Sequence, residues 1–376
     1  FKDYRVISRR LMSNSVLSFI NEGIADLHPY EPGRSIDEVI AEYNPEKVVK
    51  LASNENPLGP SPKAKEALSS SIESLHLYPD GDAKDLKLKI AKLESVSKDQ
   101  IIIGNGSNEI LELAGRAFLN NKSSALMSKH AFAVYKIVTQ ACGAKALEVP
   151  MIDWRHDLKS FNNYIEEDTK VIFVANPNNP TGTFNSHEDF KSMMLSIPKS
   201  TLVVLDLAYY EYVEADDYIK IKDLLDQFDN ILITKTFSKI QGLASLRIGY
   251  GIASKELCNV LNKIRQPFNA NYLAQIAALQ AIDDFEHIQK SKTLNLTERT
   301  KVHKRLEALG MECIPSQGNF ITFKGNFNAN KMFFELMKKG VIVRPVSLYD
   351  MPEHLRITIG TSEENDYFLN HFSKLI

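Results

Sequence analysis

The stretch Leu202-Val203-Val204-Leu205-Asp206 runs four apolar residues into a carboxylate. Apolar side chains on both faces of an extended segment fit a strand inside a parallel sheet that is covered by helices above and below. The same kind of run recurs at 101–103, 125–128, 171–175, 231–235 and Gly249–Ala253, with helical patterns between the runs. This alternation predicts an α/β fold, a large domain whose mostly parallel sheet is flanked by helices. Ligands in such sheets lie beyond the carboxyl ends of the strands. Asp206 ends one strand, Asn179 follows another and Lys239 follows a third, so the sheet can gather residues that are far apart in sequence.

After about residue 285 the pattern changes. Helical runs at 298–309 and 331–339 alternate with short strands at 319–323, 341–343 and 355–359, which predicts a smaller α+β domain. The expected division is an N-terminal arm with part of the small domain (1–51), a large domain (52–285) and a small C-terminal domain (286–376). A chain of 376 residues is long enough for two such cores.

Composition narrows the partners. Of the residues, 44% are hydrophobic and 24% charged, as in an ordinary soluble protein, and the net charge of −2 gives no field that would draw nucleic acid or an anionic membrane. No apolar run is long enough to cross a bilayer. Cys142, Cys258 and Cys313 are odd in number, far apart and without CxxC spacing. Neither a disulfide framework nor a metal site is therefore expected, and a cytoplasmic home is the simplest. Residues 1–13 contain Arg5, Arg9 and Arg10 but no apolar signal core.

Six segments are candidates for chemistry. Thr236-Phe237-Ser238-Lys239 follows an apolar strand, and an amine held there in a cleft loses solvation and favours its neutral, nucleophilic form; a lone loop lysine is more often simply solvated. Asp206 at a buried strand end needs a cation or donors, although capping a loop is its common use. Asn176-Pro177-Asn178-Asn179-Pro180-Thr181-Gly182 is a rigid turn that would hold the Asn179 amide still. Gly104-Asn105-Gly106-Ser107-Asn108-Glu109 opens a helix with Ser107 as expected N-cap, and free N–H groups behind a glycine turn suit a phosphate. Arg247 and Arg356 are candidates for anion binding, the latter as a guanidinium fork for a carboxylate, against the plainer role of surface ion pairs.

The ordered strings NPNNPTG (176–182), Asp206-Leu207-Ala208-Tyr209, TFSK (236–239) and SLRIGY (245–250) resemble the fold-type I aminotransferases of class I/II, from about Leu51 to the C-terminus. Within that group the chain resembles the histidinol-phosphate aminotransferase branch, through LASNENPLGPSP (51–62), LYPDGD (77–82), NGSNEI (105–110), GNFITF (318–323), VIVRP (341–345) and MPEHLRITIGT (351–361). The resemblance implies pyridoxal 5′-phosphate (PLP) as cofactor. It implies Lys239 as the Schiff-base lysine, Asp206 as the partner of the pyridine nitrogen, and Asn179 and Tyr209 as donors to the 3′-oxygen. Ser107, Asn108, Ser238 and Arg247 correspond to phosphate ligands, with Thr236 assisting, and Phe132 to the ring stacked on the pyridine. Tyr78 corresponds to the tyrosine that reaches a neighbouring subunit's cofactor, which implies a homodimer. Arg356 corresponds to the arginine that holds the substrate α-carboxylate, and Tyr30 and Arg344 to residues that meet a substrate phosphate.

Three positions depart from the pattern: Leu207, where the family usually has Glu; Gln241, where an aromatic is usual; and Leu348, within Ser347-Leu348-Tyr349-Asp350. If they lie near the cleft they bear on the substrate. The expected activity is amino transfer from a small-molecule amino donor to a keto acid, foremost histidinol phosphate with 2-oxoglutarate. Transamination of an aromatic amino acid, or a PLP-dependent lyase or cyclase reaction, stands as the alternative.

Overall fold

The computed structural model describes residues 16–20, 23–25, 27 and 33–376. Tyr30 therefore lies outside the described residues. Among these residues a seven-stranded sheet is formed by β1 (Ile101–Gly104), β2 (Ser124–Ser128), β3 (Lys145–Val149), β4 (Thr169–Ala175), β5 (Leu202–Asp206), β6 (Ile231–Thr236) and β7 (Gly249–Ala253), in the spatial order β1-β7-β6-β5-β4-β2-β3. The strands run parallel except β7, which is antiparallel to both β1 and β6. The expected α/β fold with a mostly parallel sheet is what the chain adopts, and the sheet divides its core into two apolar layers. One contains Ile103, Val203, Leu205 and Ile233; the other contains Ile102, Phe173, Val204 and Leu232. Successive residues of each strand thus enter opposite layers, which explains their unbroken apolar runs.

Strand β3 is not foreseen in the sequence. It is the sheet edge, with Lys145 exposed and only Val149 fully buried, so it lacks an apolar run. The helix expected at 298–309 begins much earlier and spans Phe285–Ala308. Its first half faces the interior with His287, Ser291 and Asn295, so hydrophobic periodicity cannot reveal it. These polar residues are used: Ser291 accepts from Asn56, and Asn295 and Arg299 donate to the Gly318 carbonyl.

The second sheet has four strands, β8 (Glu312–Cys313), β9 (Phe320–Lys324), β10 (Arg344–Pro345) and β11 (Leu355–Thr358), ordered β8-β9-β11-β10 and antiparallel throughout. The expected strand at 341–343 is Val341–Ile342, and it pairs in parallel with Val49–Lys50 instead of joining this sheet. Val39 of the helix Ile36–Tyr43 packs with Ala52, Met337 and Ile342, which fastens the N-terminal segment beside the C-terminal part of the chain.

One charged cluster lies inside the large sheet's packing. Lys235 of β6 is 5% exposed, and its Nζ lies 2.9 Å from both Glu94 Oε1 and Glu211 Oε1. Tyr250, its register partner on β7, donates to the same Glu94 oxygen at 2.6 Å. Burial alone would lower the lysine's pKa, but Glu211, Tyr250 and Glu94 carry it well above its ordinary value. Lys235→Met would leave two largely buried carboxylates without a cation. Denaturant unfolding should show a loss of about 3–5 kcal/mol, and a loss near zero would mean that the cluster is solvated.

Candidate active site

Strands β4, β5 and β6 are adjacent and parallel, so their carboxyl ends bring Asn179, Asp206 and Lys239 into one cleft. Its empty space, open mouth included, is about 970 Å³. Ser107, Asn108, Phe132, Tyr209, Thr236 and Ser238 also line it, as do Arg247, Arg344 and Arg356. Tyr78 does not: it is 82% exposed and stacks on Phe268 at 4.8 Å between centroids. Leu207 is buried in the core, Leu348 is exposed, and neither they nor Gln241 line the cleft. The three departures from the family pattern thus stand back from it.

Asp206 is 5% exposed. Its carboxylate accepts from Tyr135 Oη at 2.9 Å and Thr234 Oγ1 at 3.1 Å, both neutral hydroxyls. Burial raises its pKa above the ordinary carboxylate value, and these two bonds and the Ala208 backbone offset only part of that rise. Tyr135 lies three residues after Phe132, and no sequence signal assigned it. It is fully buried on the helix Ala133–Ala141, stacked on Phe173 at 5.0 Å.

Lys239 Nζ donates to the Ser53 carbonyl at 3.1 Å. Burial, reinforced by the positive charges of Arg356 and Arg247, lowers its pKa to about 8. Tyr209 is pushed up to about 12 by burial and so stays protonated. Its hydroxyl accepts from Asn54 Nδ2 at 2.9 Å, which leaves its own hydrogen to be donated. Asn54, in the quoted 51–62 string, is another contributor that the sequence did not single out; its left-handed φ of +57° aims the side chain at Tyr209.

The helix Ser107–Phe118 is not capped by Ser107, as expected; Gly106 is the N-cap, and no side chain caps the helix. Gly106 has φ +75°, and a Cβ there would lie 2.6 Å from Arg247 Nη2. The positive φ favours glycine, and a side chain there would press on the Arg247 guanidinium. Ser107, at the first helical position, keeps its hydroxyl beside the cleft. Arg247, itself at φ +55°, donates to Ser238 Oγ at 3.3 Å and to the Ala244 carbonyl at 2.8 Å. Hydroxyls, helix N–H groups and a guanidinium around one end of the cleft form an anion cradle.

At the other end, Arg356 of β11 donates through Nη1 to Asn179 Oδ1 and through Nη2 to the Ala52 carbonyl at 2.6 Å. Holding Oδ1 orients the Asn179 amide with its N–H groups turned away from Arg356. Arg356 Nε is buried without a hydrogen-bond partner. Arg344 is the register partner of Arg356 on β10, so two guanidinium groups stand on neighbouring strands at one wall.

The profile of aminotransferase class I and II matches residues 46–372. The chain belongs to the class I and II aminotransferases. It is accordingly a PLP-dependent transaminase. It is 46% identical over 367 residues to histidinol-phosphate aminotransferase 2 of Pseudomonas fluorescens, covering 97% of this chain and 99% of that protein. It is 44% identical over 355 residues to histidinol-phosphate aminotransferase of Caldicellulosiruptor saccharolyticus, covering 94% and 99%. The structure of histidinol-phosphate aminotransferase from Sinorhizobium meliloti, in complex with pyridoxal-5′-phosphate, shares the fold with a TM-score of 0.86 at 24% identity over 92% of this chain and 96% of that one. L-threonine-O-3-phosphate decarboxylase from Porphyromonas gingivalis also shares it, with a TM-score of 0.74 at 20% identity over 87% and 99%. The fold alone therefore does not fix the reaction.

The cleft fits PLP by its own chemistry: a buried carboxylate bonded only to neutral hydroxyls and a backbone group, an amine with a lowered pKa, and an anion cradle closed by Gly106. Two outcomes follow. Gly106→Ala should weaken PLP binding at least tenfold in a spectroscopic titration, since its methyl must displace Arg247; unchanged affinity would remove Arg247 from the cradle. In cofactor-free protein, Lys239 binds its proton less readily folded, at about 8, than unfolded, at 10.5. The unfolded state then holds the extra proton between those values, so stability should rise with pH across that window and the rise should vanish in Lys239→Ala.

Proposed function

We propose that this chain is a histidinol-phosphate aminotransferase that passes the amino group to 2-oxoglutarate. The observation that carries the substrate reading is the pairing of Arg344 with Arg356 on one wall of the cleft that holds Lys239. Curated relatives of that name at 46% and 44% identity support it. Arg356, with its unpaired Nε, would take the α-carboxylate of glutamate, and Arg344 the phosphate of histidinol phosphate, with Tyr30 as its expected companion. Because Leu207, Gln241 and Leu348 lie off the cleft, the motive for a lyase or cyclase is weakened.

When bound, PLP supplies an electron sink for the charge left at the substrate α-carbon. The side chains do the rest. Asp206, which accepts from Tyr135 and Thr234, would keep a proton on the pyridine nitrogen. Asn179 Nδ2 and Tyr209 Oη would donate to the 3′-oxygen, and Phe132 would pack on the ring. Ser107, Asn108, Thr236, Ser238 and Arg247 would hold the phosphate. Lys239 Nζ, neutral at modest cost because its pKa is low, would take the proton from the substrate α-carbon and pass it to the neighbouring C4′ position.

The reading includes a division into 1–51, 52–285 and 286–376, supported by the long helix that starts at Phe285 and by the pairing of Val49–Lys50 with Val341–Ile342. It includes a homodimer in which Tyr78 reaches the partner's site; exposed Tyr78 and Phe268, with Leu75 and Leu77, offer the apolar surface. It also includes a cytoplasmic location, consistent with three unpaired cysteines. No described helix is long and apolar enough to cross a membrane.

Histidinol phosphate, glutamate and phenylalanine should be compared as donors, with pyridoxamine phosphate formation read by absorbance. Histidinol phosphate and glutamate should both react. Arg344→Ala should raise the half-saturation for histidinol phosphate about 10–100-fold, the loss of a charge-assisted contact, and leave glutamate less affected. A preference for phenylalanine over histidinol phosphate would move the assignment to an aromatic aminotransferase. Donor consumption without pyridoxamine phosphate would move it to a lyase.

A further inference from the structure

The chain has one tryptophan, Trp154. It lies at the tip of a hairpin between Met151–Ile152 and Arg155–His156, in which Ile152 pairs with Arg155. Asp153 and Trp154 both have positive φ, +48° and +63°. Two-residue turns of this kind ordinarily select Asn-Gly or Asp-Gly, and a bulky aromatic persists there only where its surroundings fix it. Here they do. Thr183 Oγ1 donates to the Trp154 carbonyl at 2.6 Å, and the indole lies between His130 and His354, with centroids 5.3 and 5.0 Å away.

His130 is held on further sides. Asn178 Nδ2 donates to its carbonyl at 2.9 Å, and its Nδ1 lies 2.6 Å from the carbonyl oxygen of Tyr349. A carbonyl only accepts, so Nδ1 carries the hydrogen. Tyr349 closes the short helix Ser347–Tyr349, is buried, and lines the cleft together with Arg344 and Arg356. Trp154 packs against the same group of side chains: Ile314, Val346, Tyr349 and Met351.

We propose that His130, braced by Trp154, is a positioning residue for the amino donor: its Nδ1–H fixes the Tyr349 backbone and so sets the Tyr349 wall of the substrate cleft. His130 stands two residues before Phe132, so one short segment sets both the ring that faces the cofactor and the wall across from it. The inference rests on the reading of this cleft as the donor site.

The test uses the full-length enzyme in its pyridoxamine phosphate form, which does not react with an amine. Histidinol phosphate and glutamate are titrated against wild type, His130→Asn, His130→Leu and Trp154→Gly. Binding is read by calorimetry and, where Trp154 remains, by its emission. His130→Asn keeps an N–H near the Nδ1 position and should bind within about twofold of wild type. His130→Leu should bind about five- to tenfold more weakly, the loss of one hydrogen bond, with thermal stability similar to that of His130→Asn. Trp154→Gly should also weaken binding, although Asp-Gly suits the turn better; a role confined to the hairpin predicts unchanged affinity. Wild-type affinity in His130→Leu, or equal losses in His130→Asn and His130→Leu, would overturn the proposal. If His130→Leu does not fold, Trp154→Gly against His130→Asn decides. If wild type binds glutamate but not histidinol phosphate, the donor assignment falls, and the same comparison made with glutamate still decides the role of His130.

Discussion

The site is organised around a carboxylate buried at the end of a parallel strand. Leu202–Asp206 delivers Asp206 into a region with 5% exposure, where a charge is costly without partners. Tyr135 and Thr234 supply neutral hydrogen bonds, and Thr234 comes from β6, the strand that leads into Lys239. A carboxylate whose pKa burial raises, bonded only to neutral hydroxyls and a backbone group, is stabilised by a cation placed beside it. In the proposed reading the pyridine nitrogen of PLP is that cation, and the placement of every other group follows from where the ring must then lie.

The two sheets divide the work. Adjacent parallel strands of the large sheet bring Asn179, Asp206 and Lys239 together, and the helix Ser107–Phe118, which follows β1, contributes to the anion cradle. The antiparallel sheet contributes Arg344 and Arg356 as register partners. Arg356 donates to Asn179 and to the Ala52 carbonyl, so the group proposed for the substrate carboxylate also orients a group proposed for the cofactor.

Much of this was legible in the sequence, for physical reasons. Doubly buried strands announce themselves as apolar runs, and residues just past their carboxyl ends are natural site candidates; the run into Asp206 was readable for that reason. Edge strand β3 was hidden because one side of it faces solvent, and the first half of the helix Phe285–Ala308 because its buried face is written in His287, Ser291 and Asn295. Ser107 was misplaced as a cap because the sequence does not show how closely Arg247 approaches Gly106. Tyr135, Asn54 and Tyr349 escaped notice since each acts by contacting a residue distant in sequence, and no local pattern encodes such a contact.

The measurement that bears most directly on this account is nitrogen-15 NMR of the protein loaded with PLP labelled at the ring nitrogen, in wild type and Asp206→Asn. The account predicts a protonated ring nitrogen in wild type near neutral pH and an unprotonated one in the variant. The same protonation state in both proteins would contradict it, because Asp206 would then not be the group that holds that proton.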